Sequence, residues 1–103
     1  MSGDFFSLDS IDEALIRVER SKARVLRKSR WWQQKTSSGT CWYCGQKVGY
    51  HNLTMDHVIP LARGGRSTKD NLVPSCKECN TKKKSSLPVE WEEYMDELQR
   101  RQE

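Results

Sequence analysis

No run of apolar residues in this sequence approaches the roughly 18 that a membrane span needs. The first ten residues, MSGDFFSLDS, carry acids where a secretory leader has a positive start and an apolar stretch. The chain therefore reads as cytoplasmic. Apolar residues are scarce throughout, at 35% of 103 against 31% charged. One domain is expected at this length, and it has little material for a core. Small domains compensate with disulfides, a metal or a partner subunit. Four cysteines are present, and in a reducing compartment metal binding is favoured over disulfides.

The net charge of +4 is unevenly spread. Residues 17–35 carry eight Lys/Arg against one acid, Glu19, and residues 41–88 carry eight against three. Residues 89–103 reverse the balance, with six acids against two bases. An acidic tail thus hides a basic body, which points to a polyanion such as nucleic acid. A solvated basic face without a partner would look the same on charge alone.

DSIDEALIRVERSKARVLRKSRWWQQ (9–34) predicts one helix. Ser10 and Glu13 form a capping box at its start, and Ile11, Leu15, Val18, Val25 and Trp32 make an apolar stripe, interrupted at Lys22 and Ser29. The polar KTSSG should end it. LTMDHVIPL (53–61) reads as a strand and NLVPS (71–75) as a shorter one, joined by the loop ARGGRSTKD. CKECNTKKKSS is expected as a short helix. Pro88 suits the first turn of a last helix, whose inner face would be Trp91, Tyr94 or Met95, and Leu98.

Cys41 and Cys44 are a C-x2-C pair, as are Cys76 and Cys79. A two-residue spacer lets one turn of backbone aim two sulfurs at one tetrahedral ion. The 31 residues between the pairs exceed the usual two-knuckle spacing. Lengthening the loop costs only ~0.5 kcal/mol, against ~10–16 kcal/mol from structural zinc in small peptides. Four sulfurs close the coordination shell, so this zinc is structural and catalysis must come from elsewhere.

The inserted segment carries Asp56, His57 and Asn71, and Asn80 follows the last cysteine. Neighbours in a strand point to opposite faces, so Asp56 and His57 cannot clamp one ion together unless the strand bends. Each could instead serve a reacting group from its own side. Asp56 offers a hard anionic oxygen to Mg2+ or Mn2+, and Asn80 a neutral amide oxygen. His57, titrating near neutrality, can take a proton from water.

The order CWYC, then DHVIPLARGG, then DNLVPSCKECNTKK resembles the HNH nucleases over about residues 41–84. The resemblance implies an α+β chain: a small zinc-stapled ββα-metal domain with flanking N- and C-terminal helices. The expected organisation is one domain over 1–103, with a basic helix in 1–40, the core in 41–84 and the last helix in 85–103. It also implies roles. His57 is the general base, Asp56 a ligand of the catalytic ion, and Asn71 the residue that holds the loop and the base. Asn80 fills the last position as a second ligand, an asparagine as in the HNN variants. Gly64 and Gly65 would let the loop turn sharply.

The function the resemblance implies is metal-dependent hydrolysis of DNA phosphodiester bonds with weak sequence preference, leaving 5′-phosphate and 3′-hydroxyl ends. Structural Zn2+ and catalytic Mg2+ or Mn2+ are the expected cofactors, with Ni2+ a third candidate. Arg63, Arg66, Lys82, Lys83 and Lys84 would grip the phosphate backbone. The N-terminal helix would pack and expose its charges, and Trp31 and Trp32 would pack rather than stack on bases. A second copy of the chain is a candidate partner. A non-catalytic zinc module that binds nucleic acid is the rival, but it leaves Asp56, His57 and Asn80 without a purpose. A zinc deaminase is excluded, because neither histidine, His51 or His57, begins an H-x-E element.

Overall fold

The computed structural model describes residues 2–102, with side chains over 13–101. Its elements are α1 (Ser2–Arg27), α2 (Arg30–Thr36), β1 (Leu53–His57), β2 (Leu72–Cys76), α3 (Lys77–Ser85) and α4 (Pro88–Gln102). Short 3-10 turns occupy Tyr50–Asn52 and Leu61–Arg63. The chain is α+β, with helices around one two-stranded antiparallel sheet. No helix among the described residues is long and apolar enough to cross a membrane.

The N-terminal helix differs from the expected one in three ways. It starts at Ser2, ahead of the Ser10 capping box, which together with Ile11 of the stripe lies outside the residues whose side chains are described. It also breaks before Arg30. The Ser29 hydroxyl donates to the Leu26 carbonyl and accepts from the Trp32 N–H at 3.3 Å, closing one helix and capping the next. Thirdly, its inner face is not the apolar stripe. Leu15, Val18 and Val25 are exposed, whereas Glu19 and Ala23 are buried. The loop that receives α1 presents the Ser67 N–H, which a carboxylate can accept and an alkyl chain cannot. Glu19 Oε1 accepts the Ser67 N–H, and its Oε2 pairs with Lys22 at 3.2 Å and Arg66 at 3.5 Å. Trp32, in α2, is buried as expected, and Trp31 is half-buried beneath Lys35 and Lys69.

β1 pairs with β2 in the register Leu53↔Cys76, Asp56↔Val73, His57↔Leu72. β2 is buried along its length and β1 is half-buried. The first strand stops at His57 instead of running to Leu61. Asn71 ends it: its Oδ1 accepts the Ile59 N–H at 2.8 Å and its Nδ2 donates to the Ile59 and Arg66 carbonyls. Pro60 has no N–H for a ladder. Gly64 then adopts a left-handed φ of 89°, and Gly65 passes so near the Ile59 carbonyl that a Cβ would lie 1.8 Å from its oxygen.

The core is built around sulfur. Cys41, Tyr43, Val73, Cys76, Cys79 and Leu98 form its buried cluster, flanked by Trp91, Tyr94 and Met95 of α4. The four cysteine sulfurs lie within 4.8 Å of one another. Zinc–sulfur bonds of about 2.3 Å place tetrahedral sulfurs about 3.8 Å apart, and Cys44 and Cys76 already stand at 3.9 Å. Cys41 Sγ accepts amide N–H groups from Tyr43 at 3.3 Å and Cys76 at 3.4 Å. Burial disfavours a thiolate at Cys41, yet these amides, with that of Cys44, outweigh it and lower its pKa. The donor set fits a structural zinc ion.

Cys76→Ser is expected to lose zinc and most of the thermal stability. Protein that melts cooperatively with no zinc by metal analysis would contradict this. Glu19 gives a second expectation. The Ser67 N–H holds its carboxyl below the ordinary 4.5, against the opposing effect of burial, with Lys22 and Arg66 assisting. A folded pKa below the unfolded one stabilises above 4.5 and ceases to as pH falls through the folded value. Melting curves of the parent and Glu19→Gln should therefore differ at neutral pH and converge in acid. A gap independent of pH would show that the charge contributes nothing.

Candidate active site

β1 carries Asp56 and His57 at its C-terminal end, where the ladder still holds. The strand does not bend, so the two side chains leave on opposite faces. Asp56 turns toward the first cysteine knuckle and α3. Its Oδ2 accepts from the Tyr43 hydroxyl at 2.6 Å and from Lys83 Nζ at 2.7 Å. Both bonds fall on Oδ2, which leaves Oδ1 as the oxygen a cation could take. Tyr43 is a firm donor: burial first, then the Asp56 carboxylate, push its pKa far up. Edge contact with the Trp91 ring, 5.1 Å between centroids, fixes the phenol.

His57 turns the other way. Its Nε2 lies 2.9 Å from the Ser67 hydroxyl, and with Met55 it lines a cavity of about 260 Å³ whose other wall is Arg20, Ala23, Arg24 and Arg27 of α1. Burial lowers its pKa below 6.5, and the Lys83 cation lowers it further, while Asp56 and Glu19 act in the opposite sense. The imidazole is therefore neutral at neutral pH and able to accept a proton.

Asn71 spans the loop after β1, holding both ends of the 59–66 turn through the bonds that stop the strand. Asn80 sits half-buried in the first turns of α3, one turn before Lys83 on the same helix face. Its side chain makes no hydrogen bond among the described residues. α3 packs on both strands, and its start is fixed because Cys76 caps it by accepting the Cys79 N–H at 3.4 Å.

The basic residues divide. Lys82, Lys84, Arg63 and Arg66 are exposed. Lys83 is turned inward with 11% of its side chain exposed, and beside Asp56 it donates to the Val58 carbonyl at 3.0 Å and to that of His57. The run of three lysines thus has one member inside the site. His51 is exposed on the 3-10 turn before β1, apart from this constellation. Sequence reasoning did not single out Tyr43, Ser67, Glu19 or the α1 arginine row. The row had a signal, arginines at i, i+4 and i+7. Ser67 and Glu19 had none, being 48 residues apart.

The HNH endonuclease family model matches residues 41–86. The CRISPR-associated endonuclease Cas9 of Actinomyces naeslundii is 38% identical over 52 residues, 50% of this chain and 5% of that protein. Cas9 of Corynebacterium diphtheriae matches to the same extent. The type IV methyl-directed restriction enzyme EcoKMcrA of Escherichia coli K12 is 33% identical over 73 residues, 63% of this chain and 26% of that enzyme. The chain thus spans a small part of each relative, and the likeness is that of one domain. With its β-β-α arrangement, the segment 41–86 is similar to the HNH endonuclease family model.

Proposed function

We propose that this chain is a divalent-metal-dependent DNA endonuclease, a single HNH domain extended by α1 and α4, that hydrolyses phosphodiester bonds with weak sequence preference. The observation that carries this reading is the pair at the end of β1: a carboxylate whose Oδ1 makes no hydrogen bond among the described residues and, on the next residue, an imidazole beside a cavity walled by arginines. Asp56 Oδ1 and the Asn80 amide oxygen are the groups that would hold Mg2+ or Mn2+. A divalent ion there supplies charge to the crowded phosphate and the departing oxygen. His57 takes the proton of the attacking water. Arg63, Arg66, Lys82 and Lys84 hold the backbone by charge, joined by the α1 arginines, so affinity falls steeply with salt. Lys83 lies where it could face the cleaved phosphate from within the site. Two copies of the chain would be needed to cut both strands, each site serving one.

One observation favours the rival, a zinc module that binds nucleic acid without cutting it. The Lys83 ammonium pairs at 2.7 Å with Asp56, the one carboxylate a catalytic ion would need. Nicking of supercoiled plasmid with Mg2+, Mn2+ or chelator separates the two readings.

His57→Ala is expected to lower cleavage about 10²–10⁴-fold, the usual contribution of a positioned base, with zinc content and DNA retention kept. A variant that cuts as fast as the parent removes His57 from the chemistry. Protonation removes the base as pH falls. Because its pKa lies below 6.5, the acid limb of the parent's rate profile should also lie below 6.5. A limb at or above that value contradicts the burial argument. At Asn80, replacement by His supplies a nitrogen ligand that suits Mn2+ and Ni2+ better than Mg2+. Asn80→His should raise nicking with those ions, and Asn80→Ala should lower it below the parent. If the two variants behave alike in a nicking time course, Asn80 is not a ligand.

A further inference from the structure

The family match begins at residue 41, yet the chain of contacts that holds His57 leads out of it. His57 Nε2 meets Ser67 Oγ at 2.9 Å. Ser67 Oγ also meets the main-chain carbonyl of Glu19. A carbonyl oxygen only accepts, so the single hydroxyl proton of Ser67 is spent there. Toward the imidazole, Ser67 can then only accept. The proton shared with His57 belongs to the ring, which places N–H at Nε2 and the lone pair at Nδ1. Nδ1 makes no hydrogen bond among the described residues.

Glu19 fixes Ser67 twice, because its carboxylate Oε1 takes the Ser67 N–H while its carbonyl takes the hydroxyl. The carboxylate is itself held by Lys22 and Arg66, and its side chain is only 5% exposed. The same helix presents Arg20, Arg24 and Arg27 to the cavity beside His57, a second and separate sign that α1 belongs to the site.

We infer that α1, although outside the matched domain, is a working part of the active site: Glu19 and Ser67 are positioning residues that fix His57 as its Nε2–H tautomer and leave Nδ1 to accept the proton of the attacking water. Hydroxyl and imidazole keep their own protons in this arrangement, and only Nδ1 gains one in the step. The inference rests on the reading of His57 as the base, but the tautomer can be measured apart from cleavage.

The test uses the full zinc-loaded chain. Two-bond nitrogen–proton correlation spectra of 15N-labelled protein, taken above neutral pH, report which ring nitrogen of His57 carries hydrogen. The parent should show Nε2–H, and an Nδ1–H parent overturns the inference without any variant. Ser67→Ala should show mixed tautomers and a kcat about tenfold lower, less than the roughly 10²–10⁴-fold that the positioned base itself supplies, with KM near the parent's. Ser67→Thr, which keeps the hydroxyl, should recover both signals. Glu19→Ala should lose kcat in the same way, and Glu19→Gln, which keeps an acceptor for the Ser67 N–H, should recover it. A Ser67→Ala protein with the parent's tautomer and kcat overturns the relay. A His57→Ala protein that cuts at the parent's rate instead overturns the assignment of the base, while the spectra still decide the tautomer.

Discussion

The approach of four sulfurs to within 4.8 Å is the constraint on which the rest of this fold hangs. Three of the six buried residues in the central cluster are cysteines, so losing an ion at their sulfurs would loosen the centre of the fold. Burial raises the thiol pKa at Cys44 and Cys79, so thiolates there need a cation beside them. An ion that gathers them contributes ~10–16 kcal/mol in small peptides, far above what closing the intervening loop costs. The consequences run outward by short covalent steps. Cys76 ends β2, pairs with Leu53 at the start of β1 and caps α3. Asp56 is then three residues along one element from that anchor, and Asn80 is the residue after Cys79. The knuckles thus set the position of the candidate site by counting residues, with no need for a large apolar core.

Strand geometry imposes a second constraint. Neighbours with a period of two cannot share a face, and β1 keeps its pairing through both Asp56 and His57. The two groups therefore stand in different surroundings. On one side a phenol and an ammonium answer a carboxylate. On the other, a half-buried imidazole is kept neutral by loss of solvent and by the Lys83 cation. An anionic oxygen and a neutral proton acceptor need opposite environments, and adjacent positions in a regular strand supply both at one end of one element.

The cysteine pairs and the hairpin were legible because each is carried by local spacing. The inner face of α4 was legible as well, since Trp91, Met95 and Leu98 meet an apolar surface. The stripe on α1 misled for the same physical reason. Periodicity marks a docking face only when apolar surface receives it, and here the Ser67 amide receives Glu19 while Leu15 and Val18 face outward. The length of β1 was misjudged because Asn71, distant in sequence, draws Ile59 off the ladder. Lys83 read as one of three surface lysines, and nothing local distinguishes it from Lys82 and Lys84. Its contact with Asp56 spans 27 residues and exists only once the knuckles have aligned α3 with β1.

That contact has a consequence for charge. Asp56 contributes one negative charge, and Lys83 cancels it at 2.7 Å with little solvent between them, both side chains being nearly buried. Unit charges this close interact by several kcal/mol at the effective dielectric of about 20 that suits protein sites. The Asp56 side of the site is therefore close to neutral before anything binds, while the α1 arginines make the His57 side positive. A divalent cation arriving alone would meet little net attraction and the repulsion of Lys83. A phosphodiester arriving alone would meet favourable charge on the arginine side at once. If the proposed function holds, phosphate and cation together would be balanced, since the phosphate would supply the anionic oxygens that Asn80, a neutral residue, would not. On the proposed reading, a substrate phosphate would complete the surroundings of the ion, and cation and phosphate would each be held more firmly in the other's presence than alone.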